Sequence, residues 1–371
     1  MRGDTVPERK APIPRQFPGW DSAVRGWLRT DKFEGERVRL KFVAAGLLAM
    51  LAGVAGAQNI NAAGATFPYP IYNRWFSEYA ALHPSVHINY QSIGSGGGIK
   101  QVSEGTVDFG ASDGPMSDEQ LAAAKIKVMH IPTVLGAVVP VYNVPGANNL
   151  NFSPDVIADI YLGNIRKWND ARIVKDNPGV SLPDKPILPV YRSDGSGTTY
   201  IFTDYLSKIS PAWANGSGKG TAVKWPTGIG QKGNEGVAGM VRQTPGAIGY
   251  VELIYALQNK MEYGAVRNFS GKFVKGSPDG VTAAAAAAAK TMPADYRVSI
   301  TNAPGAASYP ISSFTWLLIP IHFADPAKGA AVKDFLTWML DHGESEASGM
   351  GYAPLPTQVQ TMVRHTITTI K

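Results

Sequence analysis

Short apolar runs of strand character alternate along this chain with longer stretches whose apolar residues recur every three or four positions. Asn59 to Ala63 predicts a short strand that ends in Gly64-Ala65-Thr66-Phe67-Pro68. Pro68 and Pro70 suit a first helical turn, where a missing N–H costs nothing, and Tyr72, Trp75, Phe76 and Tyr79 then recur as one buried helical face. Val86 to Tyr90 alternates as a strand and runs into Ile93-Gly94-Ser95-Gly96-Gly97-Gly98, with a short helix expected over Ile99 to Glu104. Thr106 to Ala111 predicts another strand, closed by Ser112-Asp113-Gly114-Pro115, and Ser117-Asp118-Glu119-Gln120 has the form of a capping box. Strand, loop and helix thus follow one another three times before residue 125, each loop carrying Gly, Ser or Thr at the strand's C-terminal end. That order argues for a parallel α/β sheet with a ligand site at those strand ends.

Val134 to Tyr142 is strongly apolar and is the expected first crossing between two domains. A second α/β unit follows: Ser153 to Tyr161 as helix, Ile187 to Arg192 as strand, Asn234 to Arg242 as helix, Ala247 to Val251 as strand. Thr282 and the seven alanines after it form a helix by intrinsic propensity alone. Ser312 to Ile319 is an apolar strand able to carry the chain back, and Pro326 to Asp341 and Pro356 to Ile370 read as closing helices. The expected division is 58–139 with 308–371 as one domain and 140–307 as the other. There is no internal repeat.

The stretch with the most chemistry is Tyr191-Arg192-Ser193-Asp194-Gly195-Ser196-Gly197-Thr198-Thr199. An apolar run from Pro186 to Val190 feeds it, and Tyr200 to Ile209 leaves it with helical periodicity. Strand, Gly/Ser turn and helix start aim unpaired backbone N–H groups and the positive end of a helix dipole at one point. The Ser196 and Thr198 hydroxyls are neutral donors, and Arg192 is a planar cation suited to oxyanions. Two readings stay open here: a small-anion site, or a helix capped by its own Ser and Asp with Arg192 merely paired to Asp194.

Composition narrows the field. The chain has 371 residues, enough for two medium domains, with 40 Gly and 27 Pro marking many turns. Its formal charge is +6, but residues 1–57 hold ten Lys/Arg and six Asp/Glu, which leaves 25 against 23 beyond them. No nucleic-acid footprint remains. The absence of cysteine removes disulfides, thiolate catalysis, Cys-based metal sites and the cysteine of a lipid anchor. Arg37 to Lys41 is a basic segment, Phe42 to Ala55 an apolar run too short for a span of about 20 residues, and Ala55-Gly56-Ala57 a small-x-small cleavage pattern. A secretory signal peptide over 37–57 is expected, cut before Gln58, with 1–36 an extension from a misassigned translation start that does not belong to the fold.

Other motifs carry less. Gly94-Ser95-Gly96-Gly97-Gly98 is not a dinucleotide fingerprint, because Ile99 stands where the third Gly belongs. Gly110-Ala111-Ser112-Asp113-Gly114 does match the G-x-S-x-G nucleophile elbow after a strand, but Pro115 interrupts the helix that motif requires. The six histidines are scattered, and no catalytic or metal cluster is expected. Trp168, Trp213, Trp225 and Trp338 read as packing residues.

Taken together and in order, the loops 63–68, 93–98, 107–113 and 192–198, with Lys224-Trp225-Pro226 and Pro245 to Glu252, resemble the periplasmic phosphate-binding proteins of high-affinity phosphate ABC importers. The resemblance spans Asn61 to the C-terminus. It implies a two-domain α/β clamp of the periplasmic-binding-protein type (type II-like), with the ligand in the cleft between domains. It also implies a receptor, not an enzyme, without cofactor. Such a receptor works as a monomer, binds inorganic phosphate and delivers it to permease subunits whose ATPase partners are other chains. Carried over by motif, Thr66 and the Phe67 backbone N–H would bind phosphate from the first loop, Ser95 from the second and Asp113 from the third. Arg192, Ser196, Gly197 and Thr198 would close on it from the other domain, with Asp194 supporting Arg192. Ser193, between Arg192 and Asp194, has no assigned role. The rivals are a secreted phosphatase or serine hydrolase using the same anion site, and an extracellular phosphate scavenger or adhesin of the same fold. Asp113 is the selective element in this expectation: a carboxylate only accepts, so it suits phosphate, which carries a proton at neutral pH, and repels sulfate, which does not.

Overall fold

The computed structural model describes residues 58–371; the expected signal peptide and leader lie outside the described residues. Its first three strands, β1 (Gln58–Gly64), β2 (Val86–Ser92) and β3 (Phe109–Ser112), are parallel with β1 in the centre. Each leads into a helix: α1 (Tyr69–Leu82), α2 (Ser95–Glu104) and α3 (Asp118–Ala123). On α1 the residues at helical spacing, Tyr72, Trp75, Phe76 and Tyr79, are all buried. Ser117 caps α3 as the reciprocal capping box, its Oγ accepting from Gln120 N and its N–H donating to Gln120 Oε1.

Several boundaries differ from the sequence reading: the strand expected from Val134 begins at Val128, and two others bear on the site. Helix α2 begins at Ser95, not Ile99, so three glycines form its first turn. Glycine is a poor helix former, but here packing demands it: a Cβ on Gly98 would stand 2.6 Å from Gly64 Cα and from the Ala111 carbonyl oxygen. The helix start therefore lies directly on β1 and β3. Strand β3 begins at Phe109, since Asp108 is drawn into a turn whose carboxylate accepts from Asn61 N–H and pairs with Lys328.

The long strand β4 (Val128–Tyr142) joins the two lobes. Next come β5 (Asn151–Phe152), α4 (Pro154–Leu162), α5 (Ala171–Asp176), β6 (Leu188–Arg192), α6 (Gly197–Ile209), α7 (Pro211–Gly216), β7 (Ile229–Gln231), α8 (Gly233–Gln243) and β8 (Ala247–Glu252). Then follow α9 (Leu253–Gln258), β9 (Ala265–Arg267), β10 (Phe273–Val274), α10 (Pro278–Lys290), β11 (Ser312–Pro320), α11 (Pro326–Asp341) and α12 (Thr357–Ile367). The main sheet runs β2-β1-β3-β11-β4-β8-β6-β7, and β10-β9-β5 form a small second sheet.

Strand β4 changes partner midway. Val128 to Ala137 pairs antiparallel with β11, whereas Val138 to Tyr142 pairs antiparallel with β8. A curled, mixed sheet results, with β1, β2, β3 and β11 on one side of the junction and β6, β7 and β8 on the other. The return crossing lies alongside: Val138 N–H donates to the Ile311 carbonyl, and Tyr309 OH to that of Val138. A third connection is the segment 295–301. On the first lobe, Trp316 Nε1–H donates to the Tyr296 carbonyl, and Arg297 reaches Met116 O and Asp118. Two residues later, Ser299 and Thr301 donate to the buried Asp204 of α6, both at 2.6 Å.

Candidate anion site

Four helix starts converge at the junction between the lobes. Thr66 and Phe67 precede α1, Ser95 opens α2, Ser196 and Gly197 open α6, and Gly233 and Asn234 open α8. Their backbone N–H groups lack intrahelical acceptors, so each start offers donors and partial positive charge. The polar side chains there are out of solvent: Thr66 is 2% exposed, Ser95 0%, Asp113 1%, Arg192 3%, and Ser196 and Thr198 0%.

Hydrogen bonds join the two lobes directly. Gly197 N–H donates to Ser95 Oγ at 3.0 Å, and Gly96 N–H to the Gly195 carbonyl at 2.8 Å. Tyr255 OH donates to the Thr66 carbonyl at 2.6 Å. Gly197 has no alternative here, because a Cβ would stand 2.5 Å from both Asp113 Oδ2 and Ser95 Oγ. Phe67 points its ring into the core against Gly136 and Tyr352, so only its backbone can serve the junction.

Arg192 is held flat by Asp194 through two bonds, Nε to Oδ1 at 2.8 Å and Nη2 to Oδ2 at 2.6 Å. Its Nη1 reaches Thr198 Oγ1 at 3.3 Å. Burial alone would raise the Asp194 carboxyl, but Arg192 and the Gly233 N–H hold it below the usual carboxylate range. The capping reading holds, since Ser196 caps α6 by accepting from Thr199 N at 3.0 Å, and its own O–H remains to donate. Ser193 lies exposed on the outer side of the loop, its N–H donating to the Gln231 carbonyl of β7. Its N–H extends the β6–β7 pairing by one bond.

Asp113 accepts from Thr315 Oγ1 at 2.8 Å and lies 3.5 Å from Ser95 Oγ. Burial pushes its carboxyl up to about 7, against the opposing pull of Thr315, Arg192 and Ser95. It is therefore poised to hold or release a proton near neutrality. Behind the junction, Glu252 is fully buried and burial keeps its carboxyl well above the ordinary range; its Oε2 accepts from Ile254 N at the start of α9.

Sequence reasoning did not single out Asn234. It is fully buried, and its side-chain amide donates to Thr66 Oγ1 at 2.8 Å and to Thr198 Oγ1 at 3.1 Å, linking the two lobes. The only sequence signal was an Asn at an expected helix start. The nucleophile-elbow reading fails on geometry. The buried Ser112 hydroxyl donates to the Gly114 carbonyl within its own turn, and His130 is spent accepting from Met116 N at 3.0 Å. Trp168 and Trp213 are fully buried, and Trp225 stacks on Tyr191 at 5.0 Å, as packing residues. Among the described residues no group of three or more His, Asp or Glu is placed to hold a metal.

Comparison with known proteins agrees with this architecture. The family model of the PBP superfamily domain matches residues 52–342. A phosphate-binding protein PstS of Xylella fastidiosa (strain Temecula1 / ATCC 700964) is 46% identical over 301 residues, covering 80% of this chain and 81% of that protein. The chain belongs to the PstS phosphate-binding-protein family. PstS of Pasteurella multocida (strain Pm70) is also 46% identical, covering 82% of this chain and 88% of its own, and PstS of the archaeon Methanocaldococcus jannaschii is 39% identical over 336 residues. In fold, the chain is similar to a high-affinity periplasmic phosphate-binding protein solved with phosphate (TM-score 0.65, 23% identity, 83% of this chain and 93% of that one). A phosphate-binding protein of Stenotrophomonas maltophilia is as similar (TM-score 0.65, 20% identity, 83% and 94%).

Proposed function

We propose that this protein binds inorganic phosphate in the cleft between its lobes, in the periplasm, and delivers it to the permease of an ABC importer powered by ATPase subunits on other chains. The secreted form begins at Gln58 and acts as a monomer. In this reading Thr66, the Phe67 N–H, Ser95 and Asp113 hold the ligand from one lobe, and Arg192, Ser196, Gly197 and Thr198 from the other. The lobes divide near 139/140 and 307/308. The observation that carries the reading is the donor set: four helix starts, hydroxyls and one guanidinium meet the buried Asp113 carboxyl at the junction. An anion stripped of water must recover its hydrogen bonds in the site or lose several kcal/mol. Arg192 is already largely neutralised by Asp194, so neutral donors do most of the binding. Asp113 gives selectivity, since it tolerates only an oxyanion that shares a proton with it.

Calorimetric titration of ligand-stripped protein tests this directly. Phosphate should bind one to one at neutral pH and sulfate should not compete; tighter binding of sulfate, or no binding of phosphate by folded protein, would overturn it.

A further inference from the structure

We propose that Asn234 is a positioning residue that fixes the direction of two site hydroxyls, making both Thr66 and Thr198 obligate donors to the bound anion. This rests on the phosphate reading above and deepens it. The amide's orientation is set by chemistry: Glu252 N–H, which can only donate, meets Asn234 Oδ1 at 2.9 Å, so the other terminus must be the NH2. That NH2 donates to Thr66 Oγ1 at 2.8 Å and to Thr198 Oγ1 at 3.1 Å. Each threonine oxygen accepts a second time, Thr66 from Asn234 N–H at 3.3 Å and Thr198 from Arg192 Nη1 at 3.3 Å. A hydroxyl has two lone pairs and one proton. With both lone pairs of each oxygen engaged, the remaining group is the proton, and no protein acceptor stands against it among the described residues. Both protons are thus left for an oxyanion held between the lobes.

A freely rotating hydroxyl can offer a lone pair as easily as a proton; these two cannot. Fixing them before the ligand arrives lowers the ordering cost of binding and favours anions. Because Thr66 belongs to one lobe and Thr198 to the other, the same amide also reports closure. Its two donor bonds are both made only when the lobes meet.

The test is phosphate titration of the whole secreted protein in wild type and variants. Asn234→Ala should weaken phosphate roughly tenfold to a hundredfold, the range expected when hydrogen-bond partners of buried groups are removed. On a Thr66→Ala/Thr198→Ala background the same change should cost less than about threefold, because the groups it acts through are gone. Asn234→Asp keeps the acceptor for Glu252 N–H, and with it the local fold. It should bind worse than Asn234→Ala at pH 8, where its carboxylate draws both hydroxyl protons to itself, and gain on Asn234→Ala as the pH falls and the carboxyl regains a donor. An equal penalty for Asn234→Ala on both backgrounds, or an Asn234→Asp variant that binds like wild type at pH 8, would overturn the proposal while leaving phosphate binding intact. Failure of folded wild type to bind phosphate would instead overturn the reading on which it rests.

Discussion

At the scale of the residue, the proposed selectivity rests on Asp113. Its carboxyl sits in a donor-rich, desolvated junction and is raised by burial to about 7. Above that pH it is charged and accepts only; below it, it carries a proton and donates. Sulfate brings no proton, so its exclusion should be strongest above pH 7 and weaken as the pH falls through 7, whereas phosphate supplies a proton on either side. Asp113→Asn is locked in the donating state: sulfate binding should appear at pH 8 and show little further change down to pH 5. A mispaired buried group costs about 1–3 kcal/mol, so the phosphate-to-sulfate ratio should fall by roughly fivefold to 150-fold. Competition titration at the two pH values checks it, and sulfate still excluded by the variant would place selectivity elsewhere. The pairing of Arg192 with Asp194 was legible in the sequence because the two stand two positions apart, whereas Asp113 was singled out only through the family resemblance and its partner Thr315 lies 202 positions away. Asn234 was not legible, since its partners Thr66 and Thr198 lie 168 and 36 positions away and only folding brings them together.

At the scale of the element, helix starts form the proposed site and glycines let them approach. Strongly periodic segments, such as α1, α11 and the apolar strand β11, were readable in place, whereas β4 was read from Val134 and begins at Val128. Helix α2 was read too short because its glycines look like loop, and β7, α9 and the two-residue strands of the small sheet are too brief to leave a periodic signal. The start of α6 is where one atom matters most. Gly197→Ala adds a methyl 2.5 Å from Asp113 Oδ2 and Ser95 Oγ, which forces the lobes apart at the point where they bond. Alanine suits a first helical turn, so the open lobe itself should tolerate it. Phosphate affinity should therefore drop at least tenfold while the melting temperature without phosphate moves by only a few degrees. Unchanged affinity would mean that Gly197 and Ser95 do not close on one another around the ligand.

At the scale of the molecule, the residues proposed to hold phosphate are 0–3% exposed, so in that reading a ligand enters or leaves only when the lobes part. The connections limit how. Two of them, β4 at Ala137/Val138 and the chain at Tyr309 to Ile311, lie side by side and are bonded to each other, as a hinge requires. The third is the strap 295–301, fixed to one lobe through Tyr296 and Arg297. Its far end is held to the other through Asp204, whose carboxyl two lysines and two hydroxyls keep at about 2 against the opposing effect of burial. Its two anchor sets are only a few residues apart, so it allows a bounded opening rather than a wide swing. The inter-lobe bonds of the closed form are few, and several of the groups that make them are those proposed to hold phosphate. Phosphate should therefore shift the population towards closure by its preference for the form in which both lobes reach it. Small-angle scattering should then give a smaller radius of gyration with phosphate than without, and Gly197→Ala should keep the larger radius in both. Identical profiles for wild type, in protein shown to be free of phosphate beforehand, would rule out closure as the binding step.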